Sequence, residues 1–333
     1  MRAKGINYDT GFFPGGESSR TDFTREAVQQ EMRVIANDLN CTAVRITGGD
    51  PDRLAIAAKA AADAGLEIWY APFPCELTAD EMLTLFTRCA KDAEQIRADG
   101  SEVVFVAGCE VSLFAKGFIP GDDVYGRISA LASGDPQVYA QMADVPARTS
   151  EFLAKASSAV RAEFHGPVTY AAGPWEDVDW TPFDIVAVDA YRDADNAKGY
   201  REGLRRRFTH GKPVAVTEFG CCAYKGAADR GAMGWAIVDR DANPPRLKGE
   251  FVRDEQEQVR YLEELLEIFE AEGVDSAFWF TFAGFDLPHD ASDPAHDLDM
   301  ASYGVVKIVP DEPWRPKAAF TALAAAYATQ PTP

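Results

Sequence analysis

Eight short apolar runs alternate with amphipathic stretches along this 333-residue chain, and most of the runs stay apolar along their length. Strands covered by helices on both faces read in this way, because neither face meets water. Eight strand–helix units in about this length fit a closed ring better than an open sheet. An open doubly wound sheet would usually place a glycine-rich phosphate turn after its first strand, yet "INYDTGFFPGG" contains no GxGxxG. The sequence therefore predicts an α/β fold, a (β/α)8 barrel spanning residues 1–333 as a single domain, since no Pro/Gly-rich linker divides the chain.

The elements follow in order. "AKGINY" (3–8) is the first strand, and in "TREAVQQEMRVIANDL" the residues Val28, Met32, Ile35 and Leu39 recur at helical spacing. "TAVRI" (42–46) precedes the alanine-rich "DRLAIAAKAAADAG", with Gly65 placed as a C-terminal cap. "EIWYAPF" (67–73) leads to a helix with Thr78 as N-cap and Glu81 three residues on. "VVFVAGCE" (103–110) is the fourth strand, followed after an insertion (111–148) by a helix over 149–164. "PVTYAAG" (167–173), "DIVAVDAY" (184–191) and "KPVAVTEFG" (212–220) continue the pattern, with a helix over 196–208. A second insertion (221–250), a helix over 252–273, the strand "SAFWFTF" (276–282) and a helix over 314–328 complete it.

Composition narrows the function. With 47% hydrophobic and 26% charged residues, the chain is an ordinary globular protein. Its 53 acidic and 33 basic side chains give a net charge of −20, which repels phosphate backbones and anionic lipid surfaces. The one basic run, "GLRRRF" (203–208), reads as a solvated helix face, so no nucleic-acid partner is expected. No run of about 20 apolar residues occurs and the N-terminus has no apolar signal region, so the expected address is cytoplasmic, with no membrane partner. The six cysteines lack CxxC spacing and read as reduced thiols, Cys221 and Cys222 among them as loop packing.

In such a barrel the C-terminal ends of the strands build the functional face. The residues there are Asn7, Tyr8 and Asp9, then Arg45, Tyr70, Cys109 with Glu110, Tyr170, Asp189 with Tyr191, Glu218 and Trp279. Trp235, in the second insertion, is placed to line a cleft. Glu110 and Glu218 end strands 4 and 7, on opposite sides of the ring. Two carboxyls about 5 to 5.5 Å apart suit retaining glycoside hydrolysis, in which one protonates the leaving oxygen and the other attacks the anomeric carbon. Glu110 is expected to be the acid/base and Glu218 the nucleophile, with Arg45 and Tyr191 stabilising Glu218 and apolar strand neighbours raising the proton affinity of Glu110.

This constellation resembles the clan of retaining glycoside hydrolases with (β/α)8 barrels and catalytic glutamates on strands 4 and 7. The likeness spans the whole barrel through short motifs, of which "VTEFG" (216–220) is moderately specific and "GCE" (108–110) weaker. It implies a small-molecule or oligosaccharide substrate. Clan members commonly carry Asn before the acid/base, contacting the sugar 2-hydroxyl. Here that position is Cys109, a poor hydrogen-bond donor. "CEVSLFAKGFIPGD" and "EFGCCAYKGAADRGAMGW" are also similar to uncharacterised bacterial proteins labelled as abortive-infection proteins. The alternative is a non-hydrolytic barrel, an enzyme or a defence-associated binding protein, for a sugar-like or natural-product ligand. No cofactor and no metal are expected: "HDASDPAHDLD" (289–299) matches no standard metal loop and reads as an acidic surface loop.

Overall fold

The computed structural model describes residues 1–13, 18–310 and 312–328. Eight parallel strands close into a ring in chain order: β1 (Ala3–Asp9), β2 (Ala43–Gly48), β3 (Glu67–Pro72), β4 (Val103–Cys109), β5 (Val168–Ala172), β6 (Val186–Asp189), β7 (Val214–Phe219) and β8 (Ser276–Trp279). Around them run α1 (Arg25–Asn37), α2 (Pro51–Asp63), α3 (Ala79–Ala98), α4 (Val111–Phe114), α5 (Val124–Ala132), α6 (Pro136–Gln141), α7 (Val145–Arg161), α8 (Tyr200–Arg207), α9 (Glu255–Glu272) and α10 (Ala318–Ala328).

The sequence signals act where they are expected. Thr78 and Glu81 form the reciprocal capping box of α3. Gly65 and Gly273 take left-handed conformations just past α2 and α9. On α1, Val28, Met32 and Ile35 face the strands, and Leu39 is buried just beyond. The eighth strand is shorter than expected, ending at Trp279 rather than residue 282. The arginines of α8 are largely exposed, with Arg205 paired to Glu272 of α9.

Both insertions carry structure of their own. The first holds α4, α5 and α6, and the second a 3-10 segment (Ala227–Ile237) with a short hairpin pairing Val238–Asp239 and Arg246–Leu247. After β8 the chain adds a three-stranded sheet that the sequence reading did not foresee. The 289–299 loop is not a simple surface loop. Asp297 and Asp299 are buried, paired with Arg253 at 2.8 and 2.9 Å, and Asp299 also meets Lys317 at 2.9 Å. Among the described residues no helix is long and apolar enough to cross a membrane.

The barrel interior is narrow and mostly small-chained: Ala3, Ala43, Ala171, Ala187 and Ala215 point inward, and the Trp69 and Phe278 rings meet there at a tilt of 55°, centroids 4.7 Å apart. Gly5 is required here, because a Cβ on it would meet the Phe278 ring at 2.3 Å. Two strands depart from regular pairing. Between Val106 and Cys109, β4 fits one more residue than β5, and β7 holds an extra residue against both β6 and β8. Bulges of this kind re-aim side chains next to functional sites.

In β4 the bulge depends on Gly108, whose φ is +91° and whose Cβ, if present, would lie 2.9 Å from Val111 and 3.1 Å from Phe86. Gly108→Ala is expected to cost about 1–3 kcal/mol of stability, read as a lower urea midpoint at unchanged slope. An unaltered midpoint would contradict this conformation.

Candidate active site

Six of the expected residues meet at the C-terminal mouth of the barrel. Arg45, fully buried, reaches from β2 and donates through Nη1 to Glu218 Oε1 at 2.7 Å and to Asn7 Oδ1 at 2.8 Å. Asn7 is fixed in turn by donating through Nδ2 to the Thr217 carbonyl at 2.9 Å. Tyr191, just past β6, donates its hydroxyl to the other Glu218 oxygen at 2.8 Å. Each oxygen of Glu218 thus accepts from a strong donor, which sets the carboxylate's orientation. The guanidinium stays charged. Burial opposes its charge, but the surrounding Cys109, Glu218 and Asp189 outweigh burial and raise its proton affinity.

Cys109 and Asp189 complete this floor. The Cys109 thiol lies 3.3 Å from Asp189 Oδ2 and 3.6 Å from Glu218 Oε1. Burial, then the neighbouring carboxyls of Asp189 and Glu218, push the thiol well above its ordinary range, so it is a neutral donor. Asp189 is likewise pushed well up, by burial first and then by the Glu218 charge, against Arg45, the nearby Thr217 hydroxyl and Cys109, and its Oδ1 makes no hydrogen bond of ordinary geometry among the described residues. Cys109, Asp189 and Glu218 each offer a donor atom, all within 4.8 Å of one another, and are the residues here that are able to hold a metal ion.

Glu110 differs in every respect from Glu218. It sits in a left-handed conformation (φ 43°, ψ 45°) at the junction of β4 and α4, with its amide donating to the Ala171 carbonyl at 2.9 Å. Such a conformation is uncommon for a residue with a side chain. No hydrogen bond to its carboxyl is found among the described residues. Burial raises its proton affinity well above the ordinary glutamate range; Asp189, Glu218 and Glu176 add to this and Arg45 opposes it.

The turn is held from beneath by a group the sequence reading missed. Glu176 accepts from Ser112 N (3.0 Å) and Oγ (2.6 Å), from Tyr170 Oη (2.7 Å) and from Gly173 N (3.0 Å). Tyr170 in turn accepts from Val111 N at 2.7 Å. Glu176 lies in an irregular stretch after β5, where no periodicity marks it. Phe12, Phe73 and Phe114 also come together, with ring centroids 4.8 to 5.4 Å apart, near the ends of β1, β3 and β4. Phe12 and Phe114 were not singled out by sequence.

The remaining expected residues lie elsewhere, and for the four that sit beside an inward residue strand alternation is the reason. Tyr8, beside inward Asn7, points to the helix layer and bonds Glu31 and Arg20. Tyr70, beside inward Trp69, stacks on Phe105, whose other ring neighbours include Phe86 of α3. Tyr170, beside inward Ala171, serves the turn rather than the floor. Trp279, beside inward Phe278, packs edge-on against Phe219 and donates to the Tyr303 carbonyl at 3.0 Å. Asp9 holds the loop after β1 through Gly11 N and Ser19 Oγ. Trp235 stands 6.5 Å from Tyr125 and links the two insertions.

No family profile matches the sequence, and no curated protein matches it. Solved structures do match. A GH113 β-1,4-mannanase aligns with a TM-score of 0.64 at 16% identity, over 99% of this chain and 100% of that one. The GH113 β-mannanase of Alicyclobacillus acidocaldarius gives 0.63 at 16%, over 98% and 97%. A β-glucuronidase of Parabacteroides merdae gives 0.61 at 14%, over 99% of this chain and 37% of that chain. At these identities the likeness establishes a shared (β/α)8 fold.

The state of Glu110 has a measurable consequence for folding. At low pH both folded and unfolded chains keep its proton, so it contributes nothing. As pH rises past the unfolded value, about 4.3, the unfolded chain releases the proton and the folded chain retains it, so stability falls. Glu110→Gln is expected to remove this loss. The stability gap between variant and wild type, from urea melts, should widen between about pH 4.5 and 7 in favour of the variant. A gap that is flat or narrows over that window would refute the raised proton affinity.

Proposed function

We propose that this chain is a retaining glycoside hydrolase with Glu218 as nucleophile and Glu110 as acid/base. The observation that carries the reading is the contrast between two glutamates at the same mouth. One is clamped by a guanidinium and a phenol; the other lacks a donor and is raised in proton affinity. A carboxyl held by two donors beside one whose proton is retained suits a nucleophile and an acid within one site.

The steps follow from that contrast. Glu218 attacks the anomeric carbon while Glu110 gives its proton to the departing glycosidic oxygen, leaving a glycosyl ester on Glu218. Glu110, now ionised, takes a proton from water, which displaces Glu218 and restores both groups. Arg45 and Tyr191 keep the attacking oxygen aimed and stabilise Glu218 as it leaves. Cys109 occupies the position where the resembled clan carries Asn, so the neighbouring Asp189 is a polar group placed to meet a sugar hydroxyl. The aromatic trio of Phe12, Phe73 and Phe114 offers apolar faces for a sugar ring. The mannanases and the glucuronidase with this fold make β-mannosides and β-glucuronides the first substrates to try.

The test is an aryl-glycoside panel. Glu218→Ala is expected to abolish turnover on every substrate that the wild type hydrolyses. Glu110→Gln should lose about 10²–10⁴-fold on a poor leaving group and far less on dinitrophenyl glycosides, which need no proton. A mechanism-based fluorosugar should label Glu218, read by peptide mass spectrometry. Equal losses for both leaving groups in Glu110→Gln would remove Glu110 from the acid role. A wild-type protein inert on the whole panel would favour a barrel that binds such a ligand without cleaving it.

A further inference from the structure

We propose that Cys109, Asp189 and Glu218 form a binding site for a thiophilic divalent cation, with Zn²⁺ the best fit. The geometry points there first. Zinc bonds sulfur at about 2.3 Å and carboxylate oxygen at about 2.0 Å, so a sulfur–oxygen edge of its tetrahedron is roughly 3.5 Å. The thiol stands 3.3 Å from Asp189 Oδ2 and 3.6 Å from Glu218 Oε1, and all three donor atoms fall within 4.8 Å of one another. Ligands thus come from three strands of a rigid barrel, β4, β6 and β7, with the fourth position left to solvent or substrate.

A second observation concerns Asp189. It is only 3% exposed, yet among the described residues Oδ1 makes no hydrogen bond of ordinary geometry, with the Thr217 hydroxyl near the carboxyl, while its other oxygen faces the thiol. A buried carboxyl left half-satisfied is costly, and a cation taken by both of its oxygens would satisfy it. The donor set is selective as well. A thiolate is a poor ligand for calcium or magnesium and a good one for zinc.

Arg45 is the obvious objection, since its charge meets Glu218 Oε1 at 2.7 Å. The count of charges answers it. Three ionised ligands, a dication and one guanidinium sum to zero. A thiol that binds as thiolate gives its proton to solvent. The Glu218 oxygen then accepts from Arg45 on one lone pair and binds metal on the other, while Tyr191 holds the carboxylate and Asn7 holds Arg45. If Glu218 is the nucleophile, the metal occupies its attacking oxygen, so zinc is an inhibitor. Binding itself does not depend on that role.

The probe is ZnCl₂ added to chelator-stripped full-length protein, with bound metal counted by elemental analysis and affinity read by calorimetry. Cobalt(II) replaces zinc to report a thiolate charge-transfer band in the near ultraviolet. One equivalent should bind. Cys109→Ser should remove the cobalt band and weaken zinc by at least about tenfold, and Asp189→Asn should also weaken it, both with circular dichroism like the wild type. Cys222→Ser, which alters a buried thiol outside the trio, should keep the band. Failure of the wild type to bind one equivalent, or a band that survives Cys109→Ser, overturns the proposal. Zinc binding by a protein inert on glycosides would leave this site standing and remove the hydrolase reading; hydrolysis indifferent to zinc, with no metal bound, would do the reverse.

Discussion

Everything at the mouth of this barrel answers to the alternation of side chains along a strand, since only every second residue can reach the axis. Asn7 on β1, Arg45 on β2 and Asp189 on β6 arrive there by regular alternation. Cys109 and Glu218 do not. With unbroken pairing, Gly108 would stand opposite Ala171 and Thr217 opposite Asp189, but one extra residue in each of β4 and β7 moves Cys109 and Glu218 into those places. The two bulged strands are the two that end in the candidate catalytic glutamates. Gly108 allows the first bulge because its positive φ and crowded surroundings suit a residue without a side chain.

The same constraint explains what was legible in the sequence. The eight strands, the capping box at Thr78 and the glycine caps at 65 and 273 were readable because each is a local signal acting on local backbone. Asn7, Arg45, Cys109, Asp189, Tyr191 and Glu218 come together because they lie at the strand ends. Tyr8, Tyr70, Tyr170 and Trp279 were grouped with them by proximity in the chain, yet each is adjacent to an inward residue and is therefore turned to the helix layer. A continuous apolar run hides its own period, so the phase of each strand is invisible until its partners fix the register.

What sequence did not supply is tertiary. Glu176 acquires meaning only through Ser112, Tyr170 and Gly173, which the fold brings to it across the end of β4. Asp297 and Asp299 are another instance. In the chain they look like part of an acidic loop, and only the approach of Arg253 and Lys317 makes them a buried ionic network. A charge's partner, more than its neighbours in sequence, decides whether it is surface or core.

Charge also sets the two glutamates apart. The floor holds one guanidinium against Glu218, Asp189 and Glu110, with Glu176 close behind. At 4 Å and an effective dielectric of about 20, opposite unit charges attract by roughly 4 kcal/mol. A single arginine supplies that to the carboxyl it touches and much less to those further off. Arg45 touches Glu218. Asp189 and Glu110 are left to avoid the cost of burial and mutual repulsion by keeping protons, and of these two Glu110 stands on a turn at the open end of its strand. The difference between these two glutamates therefore need not reside in the residues, which are identical, but in the reach of one side chain from β2.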